Sequence, residues 1–148
     1  MPNNLNHISP VDGRYSKLTK ELNKYFSESG LIKYRVYIEI QYFIHLCNMN
    51  LPELKMITKK DLAKIEAISS KITDKNISRI KQIETITNHD VKAVEYFIKE
   101  EFEKLNLNTY KEFIHFGLTS QDINNTAIPL LLMDALNYCI YPELNRLI

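Results

Sequence analysis

The segment from Glu112 to Asn125 carries the residue types best suited to chemistry. It places a histidine, two adjacent hydroxyls and a carboxylate just ahead of a long apolar stretch. The start of a helix offers unpaired N–H groups and the positive end of the helix dipole, so it favours an anion. Thr119 and Ser120 add hydroxyl donors at that point, and His115 can add a proton or a positive charge. The pattern predicts a site for a carboxylate or a phosphate.

The same segment also has a purely structural interpretation. Thr119-x-x-Asp122 resembles a capping box with Asp in place of Glu, and helix capping alone could account for both residues. The two interpretations are compatible, because one hydroxyl can cap the helix while its neighbour binds a ligand.

A second cluster runs from Ser9 to Tyr15. Gly13 permits a tight turn, Arg14 presents a planar fork suited to phosphate or carboxylate, and Tyr15 offers a hydroxyl and a stacking face. The alternative is a surface turn that carries a solvated arginine.

A third cluster, Thr87 to Asp90, lies directly before an amphipathic stretch. Asn88 or Asp90 could cap the helix that follows. His89 has polar neighbours, which is unusual for a histidine of the core, and Asp90 could orient an imidazole. This cluster is therefore a candidate binding segment.

Composition excludes several classes of function. A chain of 148 residues fits one domain, or a small domain plus part of another. The net charge of +1 gives no reason to expect nucleic acid or a membrane surface as a partner. Cys47 and Cys139 form neither a metal-ligand spacing nor a disulfide framework, so we expect reduced thiols in a cytosolic protein. With no histidine pair at metal spacing, no phosphate loop and no signal-peptide pattern, the sequence predicts no metal, no cofactor and no export.

The elements that must position these clusters are predicted to be helices, because only 3 glycines and 5 prolines interrupt the chain and no strand pair is convincing. After an irregular stretch at 1–15, apolar spacing predicts seven helices. They are Lys17 to Ser27 with Gly30 as a terminating glycine, Leu31 to Met49, Thr58 to Ile72, Asn76 to Ile86, Asp90 to Leu105, a short helix capped by Thr109 and Glu112, and a helix from Ser120 to the end. The predicted fold class is all-α.

The last of these helices is apolar on nearly every side between Ala127 and Ile140. A helix of that kind is normally surrounded by other helices. We therefore expect this helix to belong to a larger helical bundle that the sequence only begins, or to pair with other chains. Pro129 should bend it or mark an irregular first turn.

Taken together, the three clusters resemble the N-terminal part of the adenylosuccinate lyase family, within the fumarase/aspartase superfamily. Segments 9–15, 87–97 and 113–125 match the family motifs in order and spacing, and the Asn-His-Asp of residues 88–90 is similar to the bacterial-type branch. The resemblance covers essentially the whole chain but only about the first third of a family member.

The resemblance implies roles for individual residues. On the nucleotide side, Arg14 and Tyr15 match residues that hold the nucleotide phosphate and its neighbouring groups, and His115 matches a histidine that lies toward that phosphate.

On the succinyl side, Asn88, His89 and Asp90 match residues that line the pocket, with the histidine near the reacting succinyl group. Thr119 and Ser120 match residues that bind a carboxylate of the succinyl group or of fumarate.

The implied reaction is an acid–base β-elimination that releases fumarate from adenylosuccinate, giving AMP, and from SAICAR, giving AICAR. The family's general acid lies in a Thr-His-Gly-Gln-type segment and its general base in a Ser-Ser-x-Met-Pro-x-Lys loop, and neither occurs in these 148 residues. His89 and His115 are therefore expected to support catalysis without forming the proton-transfer pair, and the isolated chain is expected to be inactive.

The implied architecture is an all-α subunit of a cytoplasmic homotetramer. Residues 1–110 would form an N-terminal helical domain that carries substrate-binding segments, and 111–148 would start the central helical bundle. Two alternatives stay open. One is another fumarate-releasing lyase of the superfamily, such as argininosuccinate lyase, against which Gly-Arg-Tyr and Asn-His-Asp argue. The other is a non-catalytic helical interaction module.

Overall fold

The chain folds as an array of helices in the computed structural model, which describes residues 8–148. Helices hold 75% of these residues and none of them lies in a strand, which confirms the all-α prediction. The α-helices are α1 (Asn23–Phe26), α2 (Glu28–Asn48), α3 (Lys59–Ser70), α4 (Asp74–Thr87), α5 (Asp90–Lys104), α6 (Ser120–Ala135) and α7 (Tyr141–Leu147). Short 3₁₀ segments lie at Lys20–Leu22, Pro52–Leu54 and Asn108–Phe113.

Helix α2 is the central element of the fold. It packs against α1, α3, α4, α5 and α6, and a stripe of residues from Ile32 to Leu46 on its core side is buried. Val36 and Ile40 are completely buried, and the Phe43 ring meets that of Phe102 of α5 edge to face, with centroids 4.9 Å apart. Edge-to-face aromatic pairs contribute about 0.5–1.5 kcal/mol beyond the area that they bury. This contact fixes α5, which carries the third cluster at its start, against α2.

Threonine caps define where three of the helices begin. Thr58, Thr73 and Thr119 each accept a hydrogen bond from a backbone N–H three residues on, and a side chain at that later position accepts one in return from the threonine N–H. Each of these boxes satisfies two backbone donors that the helix itself leaves unpaired. The capping box predicted at Thr119 is thus confirmed, and α3 begins where Thr58 indicated.

Other local predictions were wrong. Gly30 does not end a helix but lies buried in the first turn of α2, where an added Cβ would be 2.5 Å from the carbonyl oxygen of Tyr25. The helix expected over 17–27 is reduced to turns, one 3₁₀ turn and α1. The segment after Leu107 is 3₁₀, without the cap expected from Thr109 and Glu112. Turns at residues 8–15 agree with the predicted irregular stretch, whereas 1–7 lie outside the described residues.

The C-terminal helices form one nearly continuous rod. Pro129 lies inside α6, and a π-helical turn at Leu136–Ile140 connects α6 to α7, where Pro142 stands in the first turn. A proline cannot donate to the carbonyl four residues earlier and its ring crowds that carbonyl, which accounts for a wider turn just before Pro142. The rod leaves many apolar side chains exposed, including Leu132, Leu144 and Leu147. Across residues 8–148 no helix has both the length and the apolar character needed to cross a membrane.

Candidate active site

The starts of α5 and α6 meet in space, although 31 positions separate their site residues. The Ser120 Oγ lies 3.3 Å from Nε2 of His89. His89 is the N-cap of α5, and Ser120 is the first residue of α6. The third cluster and the 112–125 segment therefore lie side by side in the fold.

The position of His89 fixes which of its ring nitrogens carries hydrogen. Its Nδ1 accepts a hydrogen bond from the backbone N–H of Lys92 at 3.1 Å. A nitrogen that accepts cannot carry a hydrogen itself, so the hydrogen of the neutral ring is on Nε2, which faces Ser120. His89, rather than Asn88 or Asp90, is the cap of α5. Asn88 instead ends α4 in the left-handed conformation, with φ 49°, which asparagine tolerates better than most residues.

Asp90 is bound by an arginine. Its Oδ2 lies 2.7 Å from a terminal nitrogen of Arg35, and its Oδ1 accepts from the Val91 N–H at 2.8 Å. Partial burial raises the pKa of the Asp90 carboxyl, but the Val91 N–H and the charge of Arg35 outweigh this, so its pKa lies below the ordinary value. Asp90 thus stays ionised and does not orient the His89 imidazole, whose Nδ1 is an acceptor.

Arg35 ties three helices together beneath the site. Its side chain is 9% exposed, and its Nε donates to the Oδ1 of Asn124 in α6 at 2.9 Å while its other end holds Asp90 in α5. A guanidinium can make both bonds at once because its donors lie in a rigid fork. The relative placement of the two helix starts depends on this bridge.

His115 lies in the loop before α6 in a backbone conformation that is rare for side-chain-bearing residues, with φ 60°. Its Nδ1 is 2.5 Å from Oε1 of Glu39 in α2. The loop is further held by Tyr42, whose hydroxyl donates to the carbonyl oxygen of Phe116 at 2.7 Å, and Gly117 takes a second positive φ of 71°. Two side chains of α2 therefore hold this loop in shape.

The two hydroxyls at the start of α6 have different partners. Thr119 Oγ1 accepts from the Asp122 N–H, and both the N–H and the hydroxyl of Thr119 donate to the Asp122 carboxylate, at 2.7 and 2.8 Å. These bonds lower the pKa of the Asp122 carboxyl, and the nearby charge of His115 adds to the effect. Ser120 takes no part in the cap, so its hydroxyl remains available between His89 and solvent.

Arg14 and Tyr15 are not joined to the rest of the site within residues 8–148. Their segment is a series of turns closed by bonds such as Tyr15 N–H to the Pro10 carbonyl. The Arg14 guanidinium lies 5.5 Å from the centroid of the Tyr15 ring, and that tyrosine is 44% exposed. A cation above an aromatic face holds the two together while the fork of the guanidinium stays in solvent.

The arrangement around Ser120 can bind an anion. The His89 Nε2–H can donate to Ser120 Oγ, which leaves the serine hydroxyl free to donate to a ligand beside the first turn of α6. α6 has 16 residues, so its N-terminus carries a developed dipole. A carboxylate or a phosphate is the ligand that these donors would select.

Comparison with known proteins decides the family. The family described as lyase matches residues 13–148, which is nearly the whole chain. The chain belongs to the lyase family.

Three curated relatives of this chain are adenylosuccinate lyases. Adenylosuccinate lyase of Dictyostelium discoideum is 49% identical over 148 residues, which cover 97% of this chain and 32% of that protein. The adenylosuccinate lyase of Buchnera aphidicola subsp. Schizaphis graminum is 42% identical, covering 99% and 32%, and that of Escherichia coli strain K12 is 40% identical, covering 97% and 32%. The chain therefore spans about a third of the length of the curated relatives that it matches.

Three residues of this lyase site escaped the sequence analysis, namely Glu39, Arg35 and Asn124. Arg35 and Glu39 are buried charges on the core side of α2, only 8% and 1% exposed. The sequence did contain a signal, since the two are opposite charges four residues apart within an otherwise apolar helical stripe. Charged residues are almost never fully buried unless they are paired, so their place in this stripe indicates buried ionic contacts. Asn124 gave no such signal, since an asparagine in the second turn of a helix is ordinary.

Proposed function

We propose that this chain is the N-terminal third of an adenylosuccinate lyase, which releases fumarate from adenylosuccinate and from SAICAR. The observation that carries the proposal is the meeting of His89 and Ser120 across two helix starts. This contact brings two of the three motif clusters together, and the three relatives described above, which are adenylosuccinate lyases, support the same assignment. Adenylosuccinate carries two succinyl carboxylates and a phosphate, which suits a site made of anion donors.

The proposed roles follow the geometry. Ser120 donates to a succinyl carboxylate, and His89 supports it through its Nε2–H, near the reacting group. Thr119 shapes the helix start by capping it, and its own backbone stays close to the same carboxylate. Asn88 and Asp90 line the pocket, with Asp90 fixed by Arg35.

The nucleotide phosphate is assigned to three other residues. Arg14 supplies a guanidinium fork, Tyr15 supplies a hydroxyl and a ring face, and His115 approaches from the loop before α6. We assign the meeting of Arg14 and Tyr15 with the phosphate to the assembled active site, since their side chains make no hydrogen bond or ion pair with the other site residues within 8–148.

In the proposed β-elimination, a base removes the proton from the carbon next to a succinyl carboxylate. The electron pair forms the double bond of fumarate as the carbon–nitrogen bond breaks, and an acid protonates the leaving nitrogen of AMP or AICAR. Donors around the carboxylate stabilise the negative charge that develops on it. The acid and the base are assigned to segments outside these 148 residues, so this chain supplies binding and charge stabilisation.

The assembly and location are also proposals. We assign residues 1–110 to an N-terminal domain and 111–148 to the start of a central bundle, and we expect a homotetramer in which neighbouring helices cover the exposed apolar residues of α6 and α7. A cytoplasmic location is supported by Cys47 and Cys139, which are both free thiols.

The test measures fumarate released by the purified full-length enzyme from adenylosuccinate and, separately, from argininosuccinate. We expect release from adenylosuccinate alone. His89→Gln should lower kcat about tenfold or more, because it removes the imidazole that supports Ser120. His45→Gln is the matched control, since His45 is an exposed histidine of α2 whose ring bonds only to the Gln41 carbonyl. Fumarate from argininosuccinate alone would favour the other superfamily lyase, and none from either substrate would favour a non-catalytic module.

A further inference from the structure

Glu39 is a carboxyl group buried inside the fold with a single partner. Its side chain is 0% exposed, and Oε1 lies 2.5 Å from Nδ1 of His115. The other oxygen, Oε2, is buried without a hydrogen-bond partner among the described residues. A buried carboxylate that is only half satisfied is costly, so the protein must limit the charge at this point.

The surroundings add negative charge to that of Glu39. Glu95 of α5 raises the pKa of the Glu39 carboxyl slightly, although Lys92 and Lys99 hold Glu95 itself. Burial is the larger cause of the raised pKa, and the bond from His115 opposes it. Asp122 of α6 is the other charged group that faces the imidazole. The carboxylates of Glu95 and Asp122 both disfavour a Glu39–His115 pair that carries a net negative charge.

The net charge of the pair decides what Nε2 of His115 carries. A neutral imidazole beside an ionised Glu39 has net charge −1, and this is the state that burial disfavours. In the net-neutral pair, the shared hydrogen lies either on Nδ1 of an imidazolium or on the Glu39 carboxyl. The net-neutral pair has two such hydrogens, and Nδ1 and Oε1 hold only one of them between them. The other hydrogen is therefore on Nε2 in both cases.

We propose that Glu39 is a positioning residue that keeps a hydrogen on Nε2 of His115, which makes this imidazole a fixed hydrogen-bond donor to an anionic group of the substrate. Nε2 makes no hydrogen bond to residues 8–148, so it is free to meet a ligand. The inference rests on the proposed function for the identity of the substrate, adenylosuccinate, and deepens it by assigning a task to a residue that never touches the ligand.

The two histidines of the site would then both carry a hydrogen on Nε2, each for a different structural reason. The Nε2–H of His89 is set by a backbone N–H at the start of α5, and that of His115 by a buried carboxyl in α2. Both imidazoles then present a donor rather than an acceptor, as a substrate with several negative groups requires. The strained backbone of His115, with φ 60°, is consistent with a residue held in place for a purpose.

The experiment is a double-mutant cycle in the full-length enzyme with adenylosuccinate as substrate. Glu39→Met removes every polar partner of Nδ1 at similar side-chain length, and it should lower kcat/KM about ten- to a hundredfold, the usual value of a hydrogen bond to a charged group. In a His115→Ala background the same change should have almost no further effect, because Glu39 acts through that imidazole. Glu100→Met is the matched control, since Glu100 is a carboxylate of α5 that is ion-paired with Arg79 and has no bond to His115 within residues 8–148, and it should leave kcat/KM within about twofold of wild type.

Equal losses from Glu39→Met in both backgrounds, or no loss in either, would overturn the proposal. If Glu39→Met does not fold, Glu39→Asp takes its place in the same cycle, because a carboxylate shortened by one methylene no longer reaches Nδ1 of His115. It should lower kcat/KM in the wild-type background and have almost no further effect in the His115→Ala background, and equal losses in both would again overturn the proposal. A wild-type enzyme that releases no fumarate from adenylosuccinate would refute the proposed function instead, so the two failures are distinguishable.

Discussion

Replacing Thr119 or Ser120 by alanine should separate stability from catalysis at neighbouring positions. Thr119 makes the capping box of α6 with Asp122, whereas the one hydrogen bond of the Ser120 hydroxyl among residues 8–148 is to the His89 imidazole. A hydroxyl that caps a helix stabilises the folded state whether or not a substrate is present. A hydroxyl that binds a carboxylate matters only when the substrate is there.

The magnitudes follow from these contacts. Thr119→Ala removes the acceptor for the Asp122 N–H and a donor to its carboxylate, which should cost about 0.5–2 kcal/mol of stability. For a domain of this size each kcal/mol lowers the Tm by about 2–4 °C. Ser120→Ala leaves the box intact and should change stability by less than about 0.5 kcal/mol. The loss of its bond to a charged ligand should lower kcat/KM by about one to two decades.

The assay combines steady-state kinetics on adenylosuccinate with thermal melting of each full-length variant. Thr119→Ser serves as the control, because a serine hydroxyl can cap as a threonine does and should restore the wild-type Tm. A Ser120→Ala variant with a lower Tm but the kcat/KM of the wild type would refute the assignment of this hydroxyl to the substrate. The hydroxyl would then be a structural group, and the anion site would have to be placed elsewhere.

Three further predictions concern the frame of the site and the chain as a whole. Arg35→Lys should lower the free energy of unfolding by about 1–3 kcal/mol in chemical denaturation, because an ammonium cannot hold Asp90 and Asn124 together. The stability that the lowered pKa of Asp90 brings is present at neutral pH and is lost as the pH falls through that pKa. A denaturation midpoint equal to that of the wild type at neutral pH would contradict the bridge. Gly30→Ala should lower the Tm although alanine favours helices, because its Cβ would be 2.5 Å from a carbonyl oxygen. A raised Tm would show that the backbone moves to make room for the Cβ. The 148-residue chain alone, its mass verified, should release no fumarate from adenylosuccinate, and turnover above background would mean that it contains its own acid and base.

The helix starts show what local sequence can predict. The pattern Thr-x-x-Asp at Thr58 and Thr119 was enough to place two helix boundaries, because the capping bonds join residues only three apart. Gly30 was misplaced because the reason for a glycine there is its contact with the carbonyl of Tyr25, which local spacing does not reveal. The same limit explains the failed cap at Thr109 and Glu112, where the chain follows α5 in a tight 3₁₀ path.

The candidate site residues also fall into those that local sequence singles out and those that only the packing of the helices reveals. Motif residues such as His89, His115 and Ser120 were found from the sequence, because their types are unusual at a helix start. Glu39, the partner of His115, and Arg35, the partner of Asp90, were not singled out. Their contacts join residues 55 to 89 positions apart and exist only once α2 packs against α5 and α6. Arg14 and Tyr15 stay predictions, since the described residues do not bring them to the other site residues.

The π turn between α6 and α7 has a consequence for the shape of the exposed surface. Four apolar residues of the rod, Ile128, Leu132, Ile140 and Leu144, are 37–48% exposed and lie at multiples of four positions. In an unbroken α-helix each step of four turns the next side chain by about 40° around the axis, so this row would wind through about 160°. A π turn takes up one extra residue and turns the row back by about 100°. The row therefore winds through only about 60° between Ile128 and Leu144, so that one straight helix could cover all of it.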